Sequence, residues 1–293
     1  MPELPEVEAL RRALAERLVA AGEGDAGRVV ARVLPLAVHA LKTYDPPFDA
    51  LQGRSFDAVE RHGKFLALRA GELYLVVHLA RAGWIRWRDA LPEAPPRPGK
   101  GPLALRVRLV DGSGFDVTEA GTQKRLALYL VPDPRQVPGI DRLGVDPMDE
   151  EFDEARLAAL LAGERRRIKG VLRDQSVIAG IGNAYSDEIL HAARMSPFAL
   201  ASGLGEEAVA ALYAGLRETL DGAVERARGL PMRDLKAEKK SGLRVHGRTG
   251  EPCPVCGDTI REVVYHDSSL QYCPTCQTGG RVLADRRLSR LLK

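Results

Sequence analysis

The sequence contains no apolar run long enough to cross a membrane. The apolar stretch at residues 73–79 (LYLVVHL) is seven residues long, whereas a membrane-spanning helix needs about 20. The start of the chain, MPELPEVEALRR, has acidic residues where a signal peptide would need Lys or Arg, and no apolar segment follows it. We therefore expect a protein that does not enter a membrane and that stays in the cytoplasm.

Internal repeats and low-complexity tracts are also absent. Hydrophobic residues make up 45% and charged residues 28% of the 293 positions, which is typical of a globular protein and excludes a disordered or collagen-like chain. A chain of this length predicts roughly two domains, with room for a small third unit.

Positive charge is concentrated at the C-terminal end. Residues 239–293 contain 10 Lys/Arg and 5 acids, which is a net charge of +5, whereas the preceding residues carry −2. A basic end on a nearly neutral body favours a polyanionic partner such as nucleic acid, although such a segment can also be only a solvated surface.

Hydrophobic periodicity predicts an α+β fold. An amphipathic helix is expected at residues 5–20, where Leu10, Leu14 and Leu18 share one face. Closely spaced β-type segments follow and predict an antiparallel β-sandwich. These segments are residues 28–34, 55–61, 64–69, 73–79, 84–88, 103–110, 114–118 and 125–131.

The second half of the chain has helical periodicity. We expect an N-terminal sandwich domain at residues 1–131, a Pro/Gly-rich linker at 132–150, a helical domain at 151–240 and a C-terminal unit at 241–293. Helices are predicted at residues 152–161, 169–174, 184–193 and 206–228, and the stretch before the cysteines is predicted to be a loop.

All four cysteines lie in the C-terminal unit, namely Cys253, Cys256, Cys273 and Cys276. Two C-x2-C pairs separated by sixteen residues are typical of a tetrahedral thiolate site for Zn2+. Two disulfides are the alternative, but a cytoplasmic chain and the Pro and Gly residues of the knuckles favour zinc. Four thiolates leave no open coordination position, so we expect a structural zinc ion, with a hairpin between the knuckles.

The first residues are suited to covalent amine chemistry. Removal of the initiator methionine would leave Pro2 with a secondary amine of pKa about 8, which is partly unprotonated at neutral pH. Such an amine can attack a sugar carbon and form an iminium ion. Glu3, Glu6 and Glu8 follow closely; the alternative interpretation is that these acids only complement a helix dipole.

Four motifs in order resemble formamidopyrimidine-DNA glycosylase and endonuclease VIII. They are MPELPEVEAL at the start, HGKFL at residues 62–66, DQSVIAGIGNAYSDE at residues 174–188, and the cysteine knuckles ending in Cys276-Gln277. The resemblance covers nearly the whole chain. It implies a β-sandwich crossed by a helix, a domain with a helix-two-turn-helix, a C-terminal zinc finger with four cysteine ligands, and damaged DNA as the partner of a monomeric enzyme.

The resemblance also implies roles for individual residues. Pro2 would be the nucleophile, Glu3 the acid that protonates the sugar or base, and Glu6 a residue that orders the site. Lys64 and Asn183 would contact phosphates. The glycine-rich turn that ends at Gly182 also suits this role, because glycine lets backbone N–H groups approach a phosphate at a helix start. His78 lies in an apolar strand, so we expect it to be a core residue.

Two segments depart from the family. The glycosylase fills the gap left by the extruded base with side chains from an HLGMTG and a DPRRFG segment, whereas this chain has HLARAG at residues 78–83 and EAGTQK at 119–124. Arg81, Gln123 and Lys124 are the candidate replacements, and otherwise they are exposed loop residues.

In the zinc-finger hairpin, Ser268 occupies the place of a phosphate-binding arginine, whose bidentate contact a serine cannot reproduce. Arg261 and Arg281 are the candidates to replace it. The basic extension at residues 277–293 offers a further contact to the DNA backbone.

We therefore expect a bifunctional enzyme that excises a damaged, oxidised base through Pro2 and nicks the strand by β- and δ-elimination. The main alternative is a non-catalytic sensor that clamps damaged DNA, since the family's gap-filling side chains and the hairpin arginine are missing. A third possibility is an RNA-binding zinc-finger protein, which would be indifferent to base damage.

Overall fold

The computed structural model describes residues 1–19, 28–94, 96, 101–265 and 268–284. The chain divides into two units, one made of Met1–Leu143 and Ala227–Lys236 and the other of Gly144–Arg226 and Ala237–Lys293. Among the described residues, no helix has both the length and the apolar character needed to span a bilayer.

The first unit is an antiparallel β-sandwich with helix α1 (Leu4–Leu18) packed on it. Its strands are β1 (Val30–Pro35), β2 (Ala58–His62), β3 (Phe65–Ala70), β4 (Leu73–His78), β5 (Gly83–Arg88), β6 (Leu103–Leu109), β7 (Gly114–Glu119) and β8 (Ala127–Val131). They form two sheets of four strands, in the orders β1-β6-β7-β5 and β2-β3-β4-β8. The eight predicted strands and the N-terminal helix are confirmed, with bounds that differ by up to three residues.

The strand register brings three connections to one end of the sandwich. Phe65 of β3 pairs with His78 of β4, and His78 pairs with Ala127 of β8. In the other sheet, Gly83 at the start of β5 pairs with Glu119 at the end of β7. The β2–β3 turn, the β4–β5 loop and the β7–β8 loop therefore meet at the same edge, and they carry Lys64, Arg81, Gln123 and Lys124.

Two further segments pack on the sandwich. Val137 and Ile140, which follow a 3-10 helix at Pro134–Gln136, join a cluster with Val76 of β4 and Val131 of β8. The segment Ala227–Lys236 returns to this unit, and the indole N–H of Trp84 donates to the carbonyl oxygen of Met232 at 3.0 Å.

The rest of the chain is mainly helical. It contains α2 (Glu154–Leu161), α3 (Ile168–Arg173), α4 (Asn183–Ala192), α5 (Glu206–Ala227), α6 (Leu235–Gly242), the hairpin strands β9 (Arg261–Val264) and β10 (Ser269–Tyr272), and α7 (Pro274–Thr278). Residues 174–182 connect α3 to α4 in the helix-two-turn-helix arrangement. The N–H of Gly144 donates to the carbonyl oxygen of Gln175 in this connection. The expected α+β fold is confirmed.

The prediction of a loop before the cysteines is partly wrong, because helix α6 lies in that stretch. This helix buries Leu235, and Glu238 pairs with Arg226 at 2.7 Å. So short and polar a helix has no apolar periodicity to reveal it.

Candidate active site and metal centre

The amino terminus is fixed by the start of helix α1. Glu3 is its N-cap residue, and Oε2 of Glu6 accepts the backbone N–H of Glu3 at 2.8 Å. Pro5 lies in the first helical turn, where an N–H has no intrahelical acceptor. Pro2, Glu3 and Glu6 are all buried, whereas Met1 is 48% exposed. The structure therefore places the predicted nucleophile and both predicted acids within one turn of chain.

Glu8 connects this helix to strand β2. Its carboxylate accepts hydrogen bonds from Arg11 and Arg12 on α1, and from Nε of Arg61 on β2 at 3.1 Å. Burial alone would raise the pKa of Glu8, but the hydrogen bonds and charges of Arg11, Arg61 and Arg12 outweigh it and lower the pKa to about 2. Glu8 is thus a carboxylate at neutral pH that holds the beginning of α1 on the sandwich.

Lys64 lies in the two-residue turn between β2 and β3. His62 pairs with Phe65 across this turn, and Gly63 adopts a φ of +54°, which favours glycine. The ring of His78 packs on Phe65 with centroids 4.6 Å apart. Burial and the charge of Lys64 lower the pKa of His78 to about 4, so this histidine is a neutral packing residue at neutral pH.

Arg81 is exposed at the tip of the β4–β5 loop. The loop is closed by the N–H of Gly83, which donates to the carbonyl oxygen of Leu79 at 2.8 Å. Ala80 has a φ of +49°, in the left-handed region, at the position where the family segment HLGMTG has glycine.

A buried glutamate shapes the β7–β8 loop. Oε1 of Glu119 accepts the backbone N–H groups of Arg125 at 2.7 Å and Leu126 at 2.9 Å. Nζ of Lys124 donates to the carbonyl oxygen of Glu119 at 2.7 Å. Gln123 and Lys124 are exposed on this loop.

The two loops are neighbours. The N–H of Ala120 lies 3.4 Å from the carbonyl oxygen of Ala82. Arg81, Gln123 and Lys124 therefore lie on adjoining loops at one end of the sandwich, and the ammonium group of Lys124 contacts its own loop at Glu119.

The glycine-rich turn before α4 is held by Gln175. Its Oε1 accepts the N–H of Gly180 at 2.9 Å, and its Nε2 donates to the carbonyl oxygen of Ile181 at 2.7 Å. Gly182 is the N-cap of α4, and Nδ2 of Asn183 donates to the carbonyl oxygen of Ser269 at 2.8 Å. Asn183 thus ties the start of this helix to the zinc-finger hairpin.

A buried lysine that the sequence analysis did not single out lies below this turn. Nζ of Lys169 is 2.6 Å from Oδ1 of Asp187 and donates to Oγ of Ser186 at 2.7 Å and to the carbonyl oxygen of Asn183 at 3.1 Å. Lys169 is 5% exposed. The sequence signal that could have identified Lys169 is its position among the apolar residues of α3. A lysine on a buried helix face is rarely found without a partner of opposite charge.

Helix α4 also binds the segment that leads into the zinc finger, residues 244–246. The carboxylate of Glu188 accepts the backbone N–H groups of Arg244, Val245 and His246 at 2.7–3.0 Å. Burial raises the pKa of Glu188, although these three hydrogen bonds oppose the rise. Oδ2 of Asp187 lies 2.7 Å from Nδ1 of His246.

The four cysteines converge as predicted. The Sγ atoms of Cys253 and Cys276 are 3.9 Å apart, those of Cys256 and Cys273 are 3.3 Å apart, and all four lie within 4.8 Å of one another. Tetrahedral zinc with Zn–S bonds of about 2.3 Å requires sulfur separations of about 3.8 Å. No disulfide joins these cysteines, and the set fits one structural zinc ion.

The hairpin candidates Arg261 and Arg281 follow the second and the fourth cysteine in the sequence. Arg261 begins β9, pairs with Tyr272 of β10 and is exposed, and Arg281 is exposed beyond α7. Ser268 accepts the N–H of Tyr265 at 2.7 Å through its carbonyl oxygen. Residues 266–267 at the hairpin tip and 285–293 of the basic extension lie outside the described residues.

Comparison with known families gives matches along most of the chain. Residues 1–124 match the formamidopyrimidine-DNA glycosylase N-terminal domain, residues 143–233 its H2TH domain, and residues 250–279 the zinc finger found in FPG and IleRS. These bounds agree with the sandwich, the helical region and the cysteine cluster.

Individual proteins give the same result. An uncharacterised formamidopyrimidine-DNA glycosylase-like protein of Mycobacterium tuberculosis is 60% identical over 52% of this chain and 94% of its own. Formamidopyrimidine-DNA glycosylase of Symbiobacterium thermophilum is 37% identical over 98% of this chain and 93% of its own. The Lactococcus lactis glycosylase, solved with DNA containing an abasic site, superposes with a TM-score of 0.79 at 26% identity, covering 94% of this chain and 99% of its own. With these matches and the four-cysteine site, this chain belongs to the formamidopyrimidine-DNA glycosylase family.

Proposed function

We propose that this chain is a bifunctional DNA glycosylase and abasic-site lyase of base excision repair. The glycosylase activity on damaged DNA follows from its family. The observation that supports the covalent mechanism is the position of Pro2, which directly precedes the N-cap of α1 and lies beside the buried acids Glu3 and Glu6. The zinc ion has no open position for water and holds the finger.

Excision begins with the Pro2 nitrogen, freed by removal of Met1. The secondary amine attacks C1′ of the deoxyribose while the bond from C1′ to the base breaks, and Glu3 supplies the proton with which the base leaves. The sugar ring opens with transfer of a proton to its ring oxygen, which leaves an iminium ion between Pro2 and C1′. Glu6 holds the backbone of Glu3 in place through the 2.8 Å hydrogen bond.

Strand cleavage uses the iminium as an electron sink. Loss of a C2′ proton is followed by breakage of the C3′–O bond, which releases the 3′ phosphate in the β-elimination. A second elimination releases the 5′ phosphate after loss of a C4′ proton. Water then hydrolyses the iminium and returns the free amine of Pro2.

Phosphate contacts hold the DNA backbone. Lys64 contacts the phosphate beside the lesion, and Gly182 and Asn183 contact a phosphate at the start of α4, where backbone N–H groups and the helix dipole favour an anion. Arg261 and Arg281 are exposed and serve as the phosphate contacts of the finger. Each such contact releases counterions, so binding weakens steeply with salt.

Arg81, assisted by Gln123 and Lys124, fills the gap left by the flipped nucleotide. Extrusion of a base costs a few kcal/mol of unstacking, which a side chain inserted into the gap can offset. These three side chains are exposed on adjoining loops, in the segments that correspond to the family's gap-filling side chains. The proposed substrate class is damaged, oxidised bases.

Borohydride trapping tests the covalent mechanism. Reduction during incubation with abasic-site DNA should join the DNA to the N-terminal peptide, identified by mass spectrometry, and Pro2→Gly should lose this product. Lys42→Ala, a change of an exposed lysine in the first unit, is the control and should trap like the parent protein. Lesion-selective binding without trapping, or an initiator methionine retained on active protein, would contradict the proposal and favour the sensor.

Lesion choice and assembly need separate measurements. A panel of duplex oligonucleotides with single lesions should show excision of oxidised bases, and Arg81→Ala should slow excision from duplex DNA more than cleavage at a preformed abasic site.

We also propose that the protein acts as a monomer in the cytoplasm, where it is associated with DNA. Sedimentation of the protein with and without DNA tests the monomer.

A further inference from the structure

One side chain from outside the zinc finger contacts a zinc ligand. His191 lies in the last turn of α4, and its Nε2 is 3.3 Å from Sγ of Cys253. His191 is 2% exposed and Cys253 is 3% exposed. Nδ1 of His191 is buried and has no hydrogen-bond partner within the described part of the chain. Within the described residues, the contact with the sulfur of Cys253 is therefore the hydrogen-bonding contact of the His191 ring.

The chemistry of the zinc-bound state determines which of the two atoms donates the hydrogen bond. A cysteine that ligates zinc is a thiolate, which can only accept a hydrogen bond. Nε2 of His191 must then carry the hydrogen and donate it to Cys253. His191 is not part of the cluster of possible ligand atoms that lie within 4.8 Å of one another, so it lies outside the coordination sphere.

The ring of His191 is held at this place by the attachment of the finger to α4. Glu188, three residues earlier, binds three consecutive backbone N–H groups ahead of Cys253. Beyond the helix, Nε2 of Gln277 donates to the carbonyl oxygen of Met195 at 3.0 Å. With both sides of the cysteine cluster attached to this helical region, the histidine and the sulfur have little freedom to separate.

We infer that His191 is a positioning residue for the zinc ion, which orients the Cys253 thiolate through an Nε2–H···S hydrogen bond. Partners of metal ligands outside the coordination sphere orient those ligands, and their loss typically weakens metal binding by about 10-fold to 100-fold. The consequence is that helix α4 begins at the proposed phosphate contact, Asn183, and ends at the zinc centre.

The test compares zinc affinity of full-length variants by competition with a chromogenic chelator. His191→Met removes the donor at similar side-chain length and should weaken zinc by about 10-fold or more. His191→Gln offers an amide N–H and should recover part of this loss. His246→Met is the matched control, since it removes a histidine contact from the same helix to the same finger without touching a sulfur.

Two results would overturn the inference. Zinc affinity of His191→Met equal to that of the parent, or to that of His246→Met, would show that the contact does not support the metal. Equal weakening by His191→Met and His191→Gln would assign the effect to packing.

A measurement on the unaltered sequence covers the case in which the variants do not fold. In protein loaded with cadmium-113, the Nε2 proton of His191 should show scalar coupling to the metal through the hydrogen bond to Cys253. An imidazole that is not protonated at Nε2, or a proton without this coupling, would refute the assignment.

Discussion

Three guanidinium groups surround one carboxylate on the first helix. Arg11 and Arg12 lie on the same helix as Glu8, whereas Arg61 lies on β2, three residues before Lys64. The ion pairs of Glu8 therefore connect the helix that follows Pro2 to the strand that ends at the Lys64 turn. At the scale of single residues, the proposed active site depends on a side chain to which the proposed mechanism gives no chemical role.

The charge of Glu8 predicts a pH-dependent contribution to stability. Its pKa in the folded protein is about 2, below its ordinary value of 4.5, so the contribution is complete above pH 4.5 and is lost as the pH falls toward 2. Glu8→Gln should lower the free energy of unfolding by about 2 kcal/mol at pH 7, since the partial exposure of the arginines weakens the pairs. Urea unfolding at pH 7 and pH 3 measures the difference.

The penalty of Glu8→Gln should be smaller at pH 3 than at pH 7. Glu16→Gln, on the exposed side of the same helix, is the control and should change stability little at either pH. A penalty that is independent of pH would show that the charge of Glu8 is not the origin of its effect.

Sequence reasoning finds residues whose role depends on local pattern and misses those defined by distant partners. The cysteine spacing predicted the metal cluster, because the two C-x2-C turns define it locally. Glu8 was predicted only as one of three acids near the start of the first helix, since its partner Arg61 is 53 residues away. The roles of Lys169 and His191 likewise depend on contacts that form only when α3, α4 and the finger have packed.

At the scale of elements, the β4–β5 loop combines two unusual backbone positions. A Cβ on Gly83 would lie 2.2 Å from the carbonyl oxygen of Leu79, the atom that closes the loop. Ala80 bears a side chain where a left-handed φ favours glycine. The strands around this loop were predictable from alternation of apolar residues, but the conformation of the loop was not, because it deviates from the family segment.

Two substitutions in this loop should have different effects. Gly83→Ala should lower the free energy of unfolding by more than about 2 kcal/mol, because the new Cβ meets backbone that cannot easily move. Ala80→Gly should change it by less than about 1 kcal/mol, because relief of the left-handed strain is offset by the greater freedom of glycine in the unfolded chain. Thermal unfolding followed by circular dichroism checks both, and a Gly83→Ala variant as stable as the parent would contradict the loop geometry.

At the scale of the whole molecule, the two units have separate reporters. Both tryptophans of the sequence, Trp84 and Trp87, lie in the first unit, whereas the cysteine cluster lies in the second. Tryptophan emission therefore follows the sandwich alone, and zinc content follows the finger.

Removal of zinc should affect the two reporters differently. Binding of structural zinc contributes about 10–16 kcal/mol in isolated fingers, so a chelator should unfold the finger and abolish DNA binding measured by fluorescence anisotropy. Tryptophan emission should stay unchanged, and zinc added back should restore binding. A shift of the emission to longer wavelength together with zinc loss would show that the sandwich unfolds with the finger.

The segment Ala227–Lys236 belongs to the first unit although it follows most of the second in sequence. A ribosome must therefore translate beyond residue 236 before the sandwich can bury Trp84 against its last segment. Until then, the growing polypeptide exposes an indole ring and neighbouring apolar surface to chaperones. The N-terminal half expressed from a shortened gene would retain this exposed surface permanently and should be prone to aggregate.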